Sequence, residues 1–175
     1  MIKLIWKAIK RDVDRVTFAS AKVHISGGDP EVVDTVQSDD SPTSERMILR
    51  WAEEGVAALI GLSKGTWKRK AENPMPATNS DDKWHHYIEE WLFERVGGAT
   101  GSDDRTIAIL MHQFVVAYIL WQWSIVDMPT LVKQMEGKYA DSEQALKNAM
   151  YEQAMPVKER PYKMKMWDVE VTTEW

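Results

Sequence analysis

Apolar residues recur at helical spacing over most of this chain and at strand spacing only at its end. Ile2, Ile5, Trp6, Ile9, Val13 and Val16 share one helical face, which predicts a first amphipathic helix over residues 2–24. The run Ser26-Gly27-Gly28-Asp29-Pro30 stops it. Asp29 suits an N-cap and Pro30 the first helical position, so a short second helix is expected over 31–37. Beyond a loop at 38–42, Thr43 or Ser44 can cap a third helix lined by Met47, Trp51, Ala58, Leu59 and Leu62 and closed by Gly61 to Gly65. Residues 66–80 hold Trp67, Asn73-Pro74 and Pro76 and read as an irregular connection that starts as a helical turn or a strand. Ser80, Asp81 and Asp82 then open a further helix with Trp84, Ile88, Trp91, Leu92 and Arg95 on one side and Gly97-Gly98 as its stop.

Residues 104–126 are apolar on nearly every side, the signature of a helix at the centre of a bundle. The stretch is long enough to cross a bilayer, but His112, Gln113, Gln122 and Ser124 interrupt it, so no membrane span is expected. A final helix restarts after Asp127-Met128-Pro129 with Leu131, Met135, Ala145, Leu146, Ala149 and Met150 apolar and a weak point at 137–141, and Pro156 and Pro161 bracket its exit. The period then changes. Trp167, Val169, Val171, Thr173 and Trp175 alternate with Asp168, Glu170, Thr172 and Glu174, as in a half-buried strand. The expected architecture is mainly α: a helical domain over 1–155, bundled around the long apolar helix, and an extended arm over 156–175 ending in a short strand. A lone strand must pair. The rest of the chain offers little strand sequence, so the edge of a neighbouring subunit is the expected acceptor, with the 66–69 segment of the same chain as the alternative.

Composition narrows the function classes. The chain has 175 residues with 22 Lys plus Arg, 27 Asp plus Glu, a net charge of −5 and no cysteine. One domain of this size buries about 70% of its surface. The missing cysteines exclude disulfide scaffolds, thiol nucleophiles and thiolate zinc sites. The acidic balance argues against general nucleic-acid affinity, which needs clustered cations to release phosphate counterions. Charge is nevertheless segregated: Lys64, Lys68, Arg69 and Lys70 surround Trp67, while Asp29, Glu31, Asp34, Asp39, Asp40 and Glu45 form an acidic block. Opposite blocks on neighbouring copies could pair. The N-terminus lacks the apolar core and small-residue cleavage site of a signal peptide, so export is not expected.

The candidate chemistry is thin. Gly61-Leu62-Ser63-Lys64-Gly65 matches the nucleophile-elbow pattern, but a helix leads in and a basic loop leads out, so a helix C-cap is expected instead. His85 and His86 diverge by about 100° around a helix. Each instead pairs at i, i+4 with a glutamate, Glu89 or Glu90. His112 in the apolar helix suits a hydrogen-bonded core histidine. Glu53-Glu54 and Glu89-Glu90 point to different sides and form no acid/base pair. No catalytic residue, cofactor or metal site is expected. Nine tryptophans are more than one small core readily encloses. Trp51, Trp84, Trp91 and Trp121 suit the core, while Trp123, Trp167 and Trp175 suggest rings that become buried only between subunits.

The stretches SERMILRWAEEGVAALIGL, WHHYIEEWLFERV, IAILMHQFVVAYILWQW and SEQALKNAMYEQAMP, followed by the Arg160-Pro161 exit into an extended tail, resemble the helical head-tail connector (adaptor, or head-completion) proteins of tailed bacteriophages over residues 44–161. The N-terminal 40 residues and the Trp-rich strand fall outside that family pattern. The resemblance implies a structural virion protein, assembled in the host bacterial cytoplasm. Its copies would form a homo-oligomeric ring of about a dozen beneath the portal. Such a ring would touch portal and tail proteins and line part of a channel through which DNA passes without sequence specificity, with no catalysis, cofactor or membrane. The interaction residues expected are Trp67, Lys68, Arg69, Lys70, Arg160, Trp167, Val169, Val171 and Trp175. The alternatives are a soluble helical adaptor or regulator that binds a protein or nucleic acid through the 64–70 loop, and a small enzyme using His112 or His85.

Overall fold

In the computed structural model, which describes residues 1–24, 42–70, 90–96 and 103–151, the chain opens with a strand rather than a helix. β1 (Ile2–Ile5) buries Ile2 and Leu4 and exposes Lys3 and Ile5, and α1 (Trp6–His24) begins directly behind it. Both periods are written into these residues: Ile2, Ile5 and Trp6 fit a helix, whereas Ile2 and Leu4 fit a strand. A partner strand decides between them. The short helix expected over 31–37 lies outside the described residues.

α2 (Pro42–Leu62) is the expected third helix, shifted so that Thr43 and Ser44 fall inside its first turn and Pro42 takes the first position. It closes through a turn in which Lys64 and Gly65 adopt φ of 46° and 82°, left-handed values that glycine tolerates without strain. β2 (Trp67–Arg69) follows. The helix expected from Ser80 is contradicted at its end, because residues 90–95 form β3 (Glu90–Arg95), the middle strand of an antiparallel sheet ordered β1-β3-β2. Ile2 and Leu4 lie opposite Phe93 and Trp91 on one side, and Trp67 lies opposite Arg95 on the other. Trp91, Leu92 and Arg95 do share a helical face. Six residues are too few for that period to be decisive, and Trp91 with Phe93 also alternate, in aromatic types that favour a pleated, half-buried surface. This sheet also weakens the premise that the rest of the chain offers little strand sequence.

α3 (Asp104–Val126) is the expected apolar helix, opened by Asp103, whose carboxylate accepts the Arg105 backbone N–H at 3.2 Å. A 3-10 turn (Pro129–Leu131) leads into α4 (Val132–Tyr151), which runs through 137–141 unbroken. Gly137 is exposed and costs a helix about 1 kcal/mol, which the burial of Met135, Leu146 and Met150 outweighs. Helices make up 78% of the described residues, so the mainly α class holds with a three-stranded sheet added.

α1, α2, α4 and β1 all pack on α3. The core runs from Trp91, Phe93 and Ile9 through Ile107, Met111, Phe114 and Ile119 to Leu146, with Trp6 edge-on to Trp91. α3 would suit a membrane span by length and apolarity, and here it is the helix that the others cover. At the α2–α3 crossing, buried Gly55 meets the Tyr118 ring; a Cβ there would sit 3.2 Å from the ring edge. In Gly55→Ala the helix-propensity gain of about 1 kcal/mol is offset by this contact, leaving stability nearly unchanged. Gly55→Leu overpacks the crossing and should cost about 2 kcal/mol by chemical denaturation.

At the other end of α3, burial raises the Asp127 carboxyl above the ordinary aspartate range. The negative end of the helix dipole is unfavourable to the same charge. A raised carboxyl means that the folded state prefers the neutral form, so the penalty is absent below the unfolded aspartate value and grows as pH rises through the folded one. Asp127→Asn should therefore be about 0.5 kcal/mol more stable than wild type at pH 7. At pH near ~3, below the unfolded aspartate pKa, thermal melts should show the two alike.

Candidate functional site

Trp67, Lys68, Arg69 and Lys70 sit on and beside β2, the strand alternative for the start of the 66–80 segment, and not in an open 64–70 loop. Strand alternation sends Trp67 inward, 3% exposed, with the Arg95 guanidinium 5.0 Å from its ring centroid. Arg69, on the same face, donates from Nη1 to Glu53 Oε2 of α2 at 2.8 Å, and Trp91 Nε1 donates to Glu53 Oε1 at 2.7 Å. One carboxylate thus ties α2 to both β2 and β3. Lys68 faces solvent and pairs with Glu94 across the sheet at 3.0 Å, and the Lys70 N–H donates to the Leu92 carbonyl at 2.8 Å, prolonging the ladder. Among the described residues no strand pairs with the outer edge of β2 or of β1. Arg160, Trp167, Val169, Val171 and Trp175 lie outside the described residues, as do Trp84, His85, His86 and Glu89.

Ser63 is buried, and its hydroxyl donates to the Ile60 carbonyl at 2.7 Å, shared with the Trp67 carbonyl at 3.0 Å. Its proton is committed to capping α2, with Lys64 and Gly65, rather than Gly61, taking the left-handed positions. Glu53 and Glu54 diverge as expected: Glu53 turns to the sheet, while Glu54 accepts from Arg50 Nε at 3.1 Å and bonds the Tyr118 hydroxyl.

His112 is hydrogen-bonded as expected but is not a core residue: its side chain is 24% exposed and stands at the lip of a cleft, because the α1 face it meets there is polar. Its Nε2 lies 2.8 Å from Asp12 Oδ2 of α1, and Gln113, Val116, Leu120, Met135 and Lys138 help line a cavity of about 150 Å³ beside them. A carboxylate that orients an imidazole is half of a general-base arrangement. No lining side chain supplies a hydroxyl nucleophile, and among the described residues no three His, Asp or Glu side chains cluster to hold a metal.

The more extended feature is aromatic. Trp121 of α3 stacks on Tyr139 of α4 with centroids 5.2 Å apart and planes 9° apart, and Tyr118 packs edge-on to both. All three rings are only partly buried, and Ile125, one turn beyond Trp121, is 47% exposed. Burial raises the Tyr118 hydroxyl above its ordinary value, helped by the Glu54 charge and hydrogen bond. Burial likewise raises Tyr139, with Glu143 and Tyr118 adding to it. Both remain neutral at any physiological pH. The other described tryptophans, Trp6, Trp51, Trp67, Trp91 and Trp123, are enclosed in the core. Two expectations reverse here: Trp123, expected to be left for an interface, is buried because α3 has neighbours on opposite faces, and Trp121, expected in the core, is the partly exposed ring on the described surface.

Compared with family models, with curated proteins and with solved structures, the chain finds no match in any of the three. Neither Asp12 nor the two-strand grip of Glu53 carried a signal in the sequence. Asp12 lies 100 positions from its partner, and the Glu53 contacts require β2 and β3 to be strands.

Glu53→Gln keeps the shape but loses the charge-assisted bonds, and should cost about 1–3 kcal/mol by denaturant titration. Glu54→Gln, on the exposed side, should cost less than about 0.5 kcal/mol.

Proposed function

We propose that this chain is a head-tail connector subunit of a tailed bacteriophage, assembling as a ring beneath the portal and lining part of the DNA channel. The observation that carries the reading is the partly buried aromatic stripe of Tyr118, Trp121 and Tyr139, continued by the exposed Ile125. Partly buried Trp and Tyr rings are enriched where subunits meet, and a ring requires such a patch to dock on a different surface of the next copy. The resemblance over residues 44–161 supports the same reading through its other three stretches, since WHHYIEEWLFERV contains β3 and not a helix at 90–95. A net charge of −5 suits a channel through which DNA passes without being held. In this reading the partners are further copies, the portal and tail proteins, and the protein resides in the virion after assembly in the bacterial cytoplasm. The adaptor alternative, acting through residues 64–70, has less support because Trp67 and Arg69 are engaged inside the fold.

Light scattering and negative-stain microscopy, on the protein alone and with the portal protein encoded in the same genome, should show closed rings of about a dozen copies. Trp121→Ala should lower assembly while leaving the helical circular dichroism intact. A chain that stays monomeric alone and with portal protein would overturn the proposal.

A further inference from the structure

α1 has two sides of opposite character. Trp6, Ile9, Val13, Thr17 and Ala21 are buried against the rest of the fold, while Lys7, Arg11, Arg15, Phe18 and Lys22 are all exposed. At 3.6 residues per turn these five exposed positions fall within about 80° of the helix circumference, and from Lys7 to Lys22 the stripe runs about 22 Å along the axis. We infer that this stripe is a docking surface for the phosphate backbone of duplex DNA. The inference goes beyond the connector reading, which names no DNA-facing surface, and it rests on α1 alone.

Charge on the stripe is uncompensated. α1 holds two carboxylates, and both are engaged: Asp14 accepts from Lys10 Nζ at 2.8 Å, and Asp12 Oδ2 lies 2.8 Å from His112 Nε2 of α3. Arg11 comes only to 3.8 Å of Asp12, and its side chain is 79% exposed. Lys7, Arg15 and Lys22 make no ion pair among the described residues. The net charge of −5 does not oppose binding here. Counterion release depends on which cations meet phosphates, and charges more than about 8–10 Å from the contact are screened at ordinary salt.

The make-up of the face selects the partner. A protein interface needs an apolar centre, and Phe18, 48% exposed, is the one large apolar side chain among the four cations. An anionic membrane would need the helix's apolar side, which the core already occupies. Single-stranded nucleic acid asks for several rings on which successive bases stack, and one ring does not supply them. A duplex backbone needs cations alone. It carries one charge per about 1.7 Å of axis, and the i, i+4 steps of Lys7, Arg11 and Arg15 set cations about 6 Å apart along it. Four contacts are few, so salt releases the complex and a duplex can move past the face.

Fluorescence anisotropy of a labelled duplex of roughly 20 base pairs and arbitrary sequence, titrated with the full-length protein over a salt series, tests the inference. Binding at low salt should weaken with a slope of log K against log salt of about −3.6 for each copy bound. Lys7→Gln combined with Arg15→Gln and Lys22→Gln should lower the affinity at least about ten-fold and flatten the slope, with the helical circular dichroism unchanged. Arg105→Gln combined with Lys133→Gln and Lys138→Gln removes the same number of charges from exposed positions on α3 and α4, and should change the affinity less than about two-fold. The contrast between the two variants holds whether or not rings form. Absence of binding at low salt, an equal loss in the α3–α4 variant, or tighter binding of single-stranded DNA, anionic vesicles or a polyglutamate peptide than of the duplex would each overturn it.

Discussion

α3 is apolar around nearly its whole circumference, and each of its sides left to water would forfeit hydrophobic stabilisation. Fully burying Ile107, Met111, Phe114 or Ile119 contributes about 1.5–3 kcal/mol apiece. That demand sets the architecture. α1, α2 and α4 cover separate faces, and the sheet closes the N-terminal end through β1. Gly55 lets α2 approach the Tyr118 ring, and the Asp12–His112 bond joins α1 to the same helix at the edge of the apolar contact. Where cover is incomplete, Ile109, Ile125 and Val126 are left exposed, and Trp121 is partly exposed beside Ile125.

The sheet is small, and it is held by polar chemistry as much as by its ladder. Glu53 accepts from one side chain of β2 and one of β3, and Arg95 spans from the Trp67 ring to Asp104. Arg69, part of the basic run around Trp67 in the sequence, is therefore spent on a contact within the fold, as is Arg95 over the Trp67 ring. Lys68 remains on the solvent face with Glu94 as its neighbour. This division leaves the protein with two kinds of surface. One is an aromatic stripe on the α3–α4 hairpin; the other is a pair of strand edges, one of them flanked by lysines.

Helices with long, strongly periodic patterns were legible: α3 begins and ends where its apolar run does, and α2 follows its Met47, Trp51 and Leu59 stripe. Short segments were not. Residues 2–5 and 90–95 carry spacings that fit either period, and only their mutual pairing, 88 or so positions apart, makes them strands. Gly137 looked like a break because local propensity omits the packing of the residues on either side. The role of Trp67 inverted for the same reason, since a basic neighbourhood says nothing about which side chain an alternating strand turns inward. The hydrogen bond of His112 was expected, but its partner Asp12 was not.

The central claim is that the aromatic stripe is the surface the protein uses to assemble. Hydroxyl-radical footprinting at low and high protein concentration, read residue by residue, tests it most directly. The account predicts that Tyr118, Trp121, Ile125 and Tyr139 lose reactivity together as assemblies form, while buried Trp91 and Trp123 stay unreactive throughout. Protection confined to other surfaces, with Trp121 equally reactive in both states, would contradict it.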